Sequence, residues 1–283
     1  MRAAPPPRAL RSLSGAELLR NGALLLLGLL SLFPLYFILA NSLKTVVGYA
    51  QDNLGLPRTL EWGNYAQAWG LMSGPILNTV LISSASVLLM VGVASLSAYA
   101  FGLLEFPGRR ALFYLVFALL LIPGFLTLIP LYLQIKRSPF GGYLSLILPY
   151  AAAGQAFAIF VLKTFFEQIP RELLEAARID GTGEVQLFWR VVLPLSVPVM
   201  VSVGIVQLIP LWNDYLLPSL LLDRQHRTIA MALVALQGAE KTSLPQYGAL
   251  MAAFVLSAVP LVLLFSGLMR AYIEGLTSGA IKA

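Results

Sequence analysis

The segment Glu175-Ala176-Ala177-Arg178-Ile179-Asp180-Gly181, followed by Leu193-Pro194, interrupts the apolar character of the second half of the chain. It is dense in charge, and it lies between two long and predominantly apolar runs, Ser138 to Leu162 and Val191 to Leu222. A membrane span needs about 20 predominantly apolar residues, and each run is long enough to hold one. The pattern therefore predicts a polar loop between two membrane spans, with a surface that docks a soluble partner.

Composition extends this prediction to the whole chain. Hydrophobic residues make up 58% of the sequence and charged residues 11%, whereas soluble domains carry roughly 25% charged residues. A soluble fold of this composition could not cover its surface with polar groups, so we expect an integral membrane protein. The absence of cysteine excludes disulfides, cysteine-ligated metals and thiol catalysis.

Charged residues divide the chain into apolar gaps that can each hold one span. The predicted spans cover residues 21–42, 76–103, 111–134, 144–165, 195–220 and 248–270. The segment before residue 76 is too polar for a span, and its Trp62, Tyr65 and Trp69 predict an interfacial helix with the rings at headgroup level rather than a substrate platform. The predicted fold is all-α, an integral membrane bundle of six transmembrane helices.

The basic residues orient the six spans. With the N-terminus inside, 12 of the 19 Lys and Arg residues fall on the cytoplasmic side and 7 fall outside, and basic residues favour the cytoplasmic side. Both termini are therefore predicted to be cytoplasmic, as tails of residues 1–20 and 273–283 around a transmembrane domain of residues 21–272. The first span is longer than the apolar region of about 7 to 15 residues in a cleaved signal peptide. The basic residues that give the net charge of +6 are distributed as this topology predicts, so no nucleic-acid partner is expected.

The loop of residues 167–194 has a predicted structure of its own. Residues 171–178 are strong helix formers with an amphipathic pattern, and glycines end this short helix. A second short helix, roughly 184–192, is expected to present Phe188 and Trp189 before the fifth span begins. The alternative interpretation is an amphipathic helix that only lies on the inner headgroups.

Several motifs together resemble one transporter family. They are Glu175 to Gly181 with Leu193-Pro194, Asn78-Thr79, Ala98-Tyr99-Ala100, Trp212-Asn213-Asp214-Tyr215 and the tail Tyr272 to Lys282. From residue 21 onward the chain resembles the MalG-type permease subunits of binding-protein-dependent ABC importers of the carbohydrate-uptake branch. A Glu-Ala-Ala sequence alone is weak evidence for this family, but its spacing to the glycine and to the Leu-Pro pair is specific to it. The resemblance implies the ABC type I importer permease fold, with a coupling helix in the 167–194 loop.

The resemblance also implies partners and site residues. The importer would combine this chain with a second, homologous permease, two ATPase subunits that bind ATP and Mg, and an extracytoplasmic sugar-binding protein, in the lipid of a bacterial or archaeal cytoplasmic membrane. The residues implied to couple to the ATPase are Glu175, Ala176, Ala177, Asp180, Gly181, Leu193 and Pro194. The residues of the outer loop 223–246 implied to contact the binding protein are Gln237, Gly238, Glu240 and Lys241.

Asp214 is the only formal charge inside the six apolar gaps. An intramembrane acid usually faces a bundle interior or a wet cavity, but Asp214 falls near the outer end of the fifth span, where it can also reach interfacial water. Both interpretations remain open. Amide, carboxylate and aromatic groups suit a sugar, so Trp212, Asn213, Asp214 and Tyr215 are predicted to lie at the translocation path or its outer gate. The three prolines of this span predict kinks.

The sequence lacks the residues of several other functions. It has no Gly-x-x-x-x-Gly-Lys-[Ser/Thr] loop, so ATP hydrolysis is expected in a separate subunit and no cofactor in this chain. The single histidine, His226, has no metal-ligand partner at a familiar spacing and is interpreted as a solvated loop residue, and no catalytic constellation is present. The main hypothesis is a permease subunit of an ATP-driven sugar importer. The alternatives are an ion-gradient-driven secondary transporter, an ABC permease for a non-sugar such as glycerol-phosphate, and a non-transporting scaffold.

Overall fold

The computed structural model describes residues 15–223, 225–239 and 247–280, and every regular element in them is helical. The helices are α1 (Gly15–Ser42), α2 (Val46–Gln51), α3 (Gly63–Leu103), α4 (Arg109–Ala118), α5 (Leu128–Arg137), α6 (Leu144–Ala153), α7 (Gln155–Phe166), α8 (Arg171–Ile179), α9 (Glu184–Leu187), α10 (Leu193–Asn213), α11 (Leu216–Leu221), α12 (Ile229–Ala239) and α13 (Tyr247–Ala280). Two 3₁₀ turns, Leu119–Leu121 and Gly124–Thr127, separate α4 from α5, and a π-helical turn, Phe188–Val192, joins α9 to α10. Inner denotes the end of the bundle that carries the 167–194 loop, and outer the opposite end.

Four helical stretches of the described residues are long and apolar enough to cross a membrane without a break. They are Leu19–Ser42, Gly63–Leu103, Glu184–Asn213 and Tyr247–Met269. Two bent pairs have the same character: Arg109–Leu121 with Gly124–Arg137, at an angle of 92°, and Leu144–Ala153 with Gln155–Phe166, at 46°. When each bent pair counts as one span, the structure has the six spans that the sequence predicts.

The second span begins earlier than the sequence predicts. α3 begins at Gly63 rather than at residue 76, so the separate interfacial helix expected before residue 76 is wrong. One of the polar residues that argued against a span, Asn64, finds partners in the fold. The Asn64 amide donates to the carbonyls of Ser42 and Lys44, both at 2.9 Å. Tertiary hydrogen bonds therefore permit a continuous helix where hydropathy alone did not predict one.

Prolines interrupt the third span, which the sequence predicts without a break, and the fifth span, where the sequence predicts kinks. Ile122 has the extended backbone angles φ −85° and ψ 114°, because the ring of Pro123 disfavours a helical conformation in the residue before it. In the fifth span, Pro218 cannot donate to the carbonyl of Asp214, and its ring would clash with that carbonyl in a continuous helix. The chain therefore breaks between α10 and α11.

The fifth and sixth spans continue into segments that the sequence assigned to a loop and a tail. The helix of the fifth span begins at Glu184, so the second short helix predicted in the 167–194 loop is its first part. α13 continues to Ala280, whereas the sequence predicts a sixth span over 248–270 and a separate tail from residue 273.

Two apolar clusters, both built around α3, form most of the core. The inner cluster packs α3 against α7, α8, the π-helical turn and α10, and it contains Tyr99, Phe166 and Leu174. The outer cluster packs α3 against α10, α12 and α13, and it contains Met72 and Trp212. α3 is common to both clusters, so it physically links the inner and outer ends of the bundle.

Candidate functional site

α8 lies at the inner end with one side against the core. Leu174 is buried in the inner cluster, and Ala177 packs against the same cluster. Leu173, Ala176 and Ile179 are exposed on the rest of the helix. α8 therefore has a buried side that attaches it to the bundle and an exposed, partly apolar surface that is available to a partner.

The chain leaves α8 through a turn that requires glycine. Gly181 has a φ of 83°, in the left-handed region that residues with a side chain disfavour. The N–H of Gly181 donates to the carbonyl of Arg178 at 3.0 Å, and the N–H of Thr182 donates to the carbonyl of Ala177 at 3.1 Å. This pair of bonds is a Schellman motif, which satisfies the last carbonyls of a helix. Gly181, with exposed Asp180 before it, sets the end and exit direction of α8.

A set of hydrogen bonds, here called the clasp, joins this turn to the second span. The hydroxyl of Tyr99 in α3 donates to the carboxylate of Glu184. Arg178 Nε in α8 donates to the same carboxylate at 3.0 Å. The clasp of Tyr99, Arg178 and Glu184 therefore connects α3, α8 and α9 through a single carboxylate. Tyr99 belongs to the Ala98-Tyr99-Ala100 motif, but nothing in the sequence indicates that it pairs with Glu184.

The fifth span starts with a π-helical turn. The N–H of Leu193 donates to the carbonyl of Phe188, five residues earlier, next to Pro194, which has no N–H to continue a regular α-helix. Phe188 is only 3% exposed, and its ring lies edge-on to Tyr99 at 5.3 Å, whereas Trp189 is 58% exposed. The expectation that this segment presents both rings on its surface is therefore wrong for Phe188, which belongs to the core. Single π turns often occur at functional sites.

A polar pocket of about 500 Å³ opens beside α8. Its walls come from the inner ends of α3 and α7, from the chain that follows α3, from α8 and from the start of α9. The charged residues that line it are Glu105, Arg109, Glu167, Arg171, Glu175, Arg178 and Glu184. Two of these acids have cationic partners, since Lys163 pairs with Glu167 at 2.7 Å and Arg178 pairs with Glu184. A surface with both signs of charge suits a hydrated protein contact, because charges are costly against hydrocarbon.

The four residues predicted for the path lie where α10 ends. Trp212 is 6% exposed in the outer cluster, Asp214 is half-buried, and Asn213 and Tyr215 are exposed. The Asp214 carboxylate accepts the hydroxyl of Tyr150 in α6 at 2.7 Å, and it also accepts backbone N–H groups at the start of α11, the closer at 2.8 Å. Asp214 therefore caps α11 and ties the end of α10 to α6.

The outer loop 223–246 is attached at its start to the second span. Asn78 Nδ2 donates to the carbonyl of Arg227 at 2.9 Å, and Thr79 Oγ1 accepts the N–H of Ile229, the first residue of α12, at 2.8 Å. The hydroxyl of Tyr143 donates to Asn78 Oδ1 at 2.8 Å. These contacts, here called the outer knot, assign a role to the Asn78-Thr79 motif: it holds the start of α12 on α3.

Of the four residues predicted to contact a binding protein, two lie within the described residues. Gln237 and Gly238 are exposed near the end of α12. Glu240 and Lys241 lie outside the described residues.

His226 is half-buried rather than fully solvated. Its Nδ1 lies 2.7 Å from Asp223 Oδ1, and its ring lies edge-on to Tyr143 at 4.9 Å. The contact with His226 lowers the pKa of Asp223. Within the described part of the chain, no group of three or more His, Asp or Glu is arranged to hold a metal ion.

Comparison with known proteins agrees with this architecture. The family described as binding-protein-dependent transport system inner membrane component matches residues 91–277. The chain is 31% identical over 268 residues to the diacetylchitobiose uptake system permease protein NgcG of Streptomyces coelicolor, covering 93% of this chain and 88% of that protein. It is 30% identical over 254 residues to the melibiose/raffinose/stachyose import permease protein MelC of Bacillus subtilis, covering 88% and 91%. It is 31% identical over 274 residues to the trehalose/maltose transport system permease protein MalG of Thermococcus litoralis, covering 91% and 94%.

A solved structure shares the fold. It is a chain from a bacterial ABC transporter involved in the import of the acidic polysaccharide alginate, with a TM-score of 0.80 and 21% sequence identity. The match covers 94% of this chain and 100% of that chain.

Proposed function

The chain belongs to the family of binding-protein-dependent transport system inner membrane components, and on that premise we propose that it is the transmembrane permease subunit of an ATP-driven sugar importer. By their names, relatives at 30% identity or above transport diacetylchitobiose, melibiose, raffinose, stachyose, trehalose and maltose. These names support a neutral di- or oligosaccharide as the substrate. A second, homologous permease would complete the translocation path in the cytoplasmic membrane, with both termini of this chain inside.

The rigid attachment of α8 carries this proposal. Leu174 holds one side of the helix in the core, and the clasp of Tyr99, Arg178 and Glu184 holds its exit turn. A helix that transmits movement from an ATPase to the translocation path must be held rigidly in the bundle. The exposed side of α8 remains available to contact the ATPase. We infer that an ATPase subunit receives α8. The residues proposed to act in this contact are Glu175, Ala176, Ala177, Asp180 and Gly181, with Leu193 and Pro194 shaping the π-helical turn behind it.

The proposed mechanism is alternating access driven from the inner end. Two ATPase subunits would bind ATP and Mg, and closure of their dimer would move α8. Through the clasp the movement would reach α3, a helix of 41 residues. Because α3 also carries the outer knot, the same helix connects the ATPase face with the outer loop 223–246. A sugar-binding protein would dock on that loop, with Gln237, Gly238, Glu240 and Lys241 proposed as contacts.

The end of α10 is the proposed outer part of the path. Asn213 and Tyr215 are exposed there. Asp214 lies between them, and one of its carboxylate oxygens accepts a hydrogen bond from Tyr150. Amide, carboxylate and aromatic groups are the types that bind sugars. Trp212 would support this site from the core, where it is buried.

Reconstitution tests the proposal. The chain is co-expressed with a second permease and an ATPase from the same organism, purified, and placed in liposomes with the corresponding binding protein. The expected result is co-purification of the ATPase and ATP-dependent uptake of at least one sugar among trehalose, maltose, melibiose and raffinose. Uptake that needs an ion gradient and proceeds without the ATPase would contradict the proposal.

A further inference from the structure

A column of polar side chains runs between the fourth and fifth spans. α6 and α7 meet at a bend of 46° around Gly154, and α10 packs against α7. Gln207 in α10 and Asp214, the residue directly after α10, are seven positions apart, so they lie on the same side of the helix, about 10 Å apart along its axis. Tyr150 and Gln155 come from the bent fourth span. Tyr150, Gln155, Gln207 and Asp214 are here called the polar seam.

The outer half of the polar seam is satisfied within the chain. The Tyr150 hydroxyl donates to Asp214 at 2.7 Å, and Asp214 also accepts backbone N–H groups of α11. The Tyr150 hydroxyl and the Asp214 carboxylate hold α6, α10 and α11 together. Most of the hydrogen bonds that these two groups can form are therefore already made within the chain.

The inner half of the polar seam has unused hydrogen-bonding groups. Gln155 Nε2 donates to the carbonyls of Ala151 at 3.0 Å and Met90 at 3.2 Å, but Gln155 Oε1 is buried and accepts no hydrogen bond within the described residues. The amide of half-buried Gln207 likewise has no partner in the described part of the chain. An unpaired buried acceptor is costly inside a membrane protein, so Gln155 Oε1 calls for a partner that this conformation does not supply, and the half-buried Gln207 amide is free to bond beside it.

Gly154 precedes Gln155 at the bend of the fourth span and lies close to Gln207. A Cβ at this position would collide with Met90 Sδ and lie 3.5 Å from Gln207 Cδ. The glycine therefore leaves room for the Met90 side chain, and the Gln207 side chain lies at ordinary contact distance from the same position, next to Gln155 at the bend of the fourth span. In secondary transporters, substrate sites are commonly built near the bilayer midplane where helices are broken.

We propose that Gln155 and Gln207 form a binding site for the hydroxyl groups of a sugar, inward of the Tyr150–Asp214 pair. This inference rests on the proposed function. A hydroxyl both donates and accepts, and each amide offers one acceptor and two donors. Gln155 and Gln207 carry no formal charge, so the site suits an uncharged polyol rather than an ion. Gln155 Oε1 is buried in this conformation, so a sugar would reach it only in a conformation in which α10 moves away from the bend of the fourth span, inward of the Tyr150–Asp214 pair.

Gln207→Met is the cleanest test of this site. Methionine keeps the length of the side chain and removes its donors and acceptor, and no hydrogen bond of the described structure is lost. In the reconstituted complex we expect the KM for uptake of the sugar that the wild type carries, among trehalose, maltose, melibiose and raffinose, to rise about tenfold. Ser257→Ala is the matched control, since that buried hydroxyl in α13 bonds only its own helix, at Ala253, 2.6 Å away. Ser257→Ala should keep both the KM and the rate of binding-protein-stimulated ATP hydrolysis of the wild type.

Protection from labelling provides a second measurement. The chain has no cysteine, so Gln207→Cys introduces a single thiol, and we expect the transported sugar to slow its reaction with a small maleimide at least threefold. An unchanged KM in Gln207→Met together with no protection of Gln207→Cys would overturn the site and leave the two amides bonded to water or to each other. Absence of uptake by both the wild type and Ser257→Ala would instead contradict the proposed function.

Discussion

The hydroxyl of Tyr99 donates to the carboxylate of Glu184, a residue 85 positions later in the chain. This bond joins the inner part of α3 to the start of the fifth span, and Arg178 extends it to α8. The Tyr99 ring also contacts Phe188 edge-on at 5.3 Å. A displacement of α8 therefore reaches α3 through both a hydrogen bond and a packed aromatic pair.

Replacing Tyr99 with phenylalanine is expected to weaken this transmission without unfolding the bundle. The ring stays in the core while Glu184 loses a donor, and because Glu184 is exposed we expect a loss of about 1 kcal/mol, or about fivefold. The measurement is sugar uptake per ATP hydrolysed, which should fall about fivefold while hydrolysis continues. Tyr114→Phe, at an exposed tyrosine of α4, is the matched control. A wild-type ratio in Tyr99→Phe would show that the clasp does not transmit movement.

Gly181→Ala is expected to distort the exit of α8. The φ of 83° at this position costs a residue with a side chain roughly 1–2 kcal/mol, so the turn should shift and the contact with the ATPase should weaken. The amount of ATPase that co-purifies with the chain measures the effect. Gly183→Ala is the control, because Gly183 has a φ of −69° and nothing lies within 4 Å of the added Cβ. Equal assembly of the two variants would argue against a role for the turn geometry.

Glu175→Lys should impair assembly with the ATPase and leave the membrane fold unchanged. Glu175 is exposed on α8 and forms no ion pair within the described residues, so its replacement should change stability by no more than about 0.5 kcal/mol. We expect thermal unfolding like that of the wild type, with at least a tenfold loss of ATP-dependent uptake. Glu61→Lys reverses a charge at the outer end and serves as the control. Full uptake by Glu175→Lys would exclude this side chain from the docking surface.

Thr79→Val tests the outer knot. Valine has the shape of threonine but leaves the N–H of Ile229 without its acceptor, a cost of about 1–3 kcal/mol for a buried group. The start of α12 should loosen, so binding-protein-stimulated ATP hydrolysis should fall about fivefold while basal hydrolysis is kept. Thr79→Ser retains the oxygen and should behave as the wild type. If the stimulated rate of Thr79→Val matched that of Thr79→Ser, the knot would have no part in the response to the binding protein.

Cysteine labelling tests the outer path. Asn213→Cys should react with a polar maleimide added from outside, and Asp214→Cys should react more slowly because Asp214 is half-buried behind Tyr150. Both rates should change when the ATPase is trapped with ATP. Ser257→Cys, at a buried position of α13, should stay unlabelled. Identical rates in both states would assign Asn213 and Asp214 to static structure at the membrane edge.

The sequence by itself determined the fold class, the number of spans and the position of the 167–194 loop. These features depend on local composition: runs of about 20 apolar residues need a membrane, and a charged, helix-forming segment between two such runs needs water or protein. It also indicated α8, because its amphipathic pattern and the glycine after it are local signals. Asp214 was singled out for the same reason, as a lone charge among apolar residues.

The tertiary structure alone decided which residues work together. Within a membrane, lipid is as apolar as the protein core, so hydropathy could not show that Phe188 faces inward and Trp189 outward, or that α3 extends back to Gly63. The clasp, the outer knot and the polar seam join residues from different spans, and only the packing of the helices brings their polar groups within hydrogen-bonding distance. The pairing of Tyr99 with Glu184 is of this kind, because each residue taken alone is an ordinary helix residue and only their contact connects the two spans.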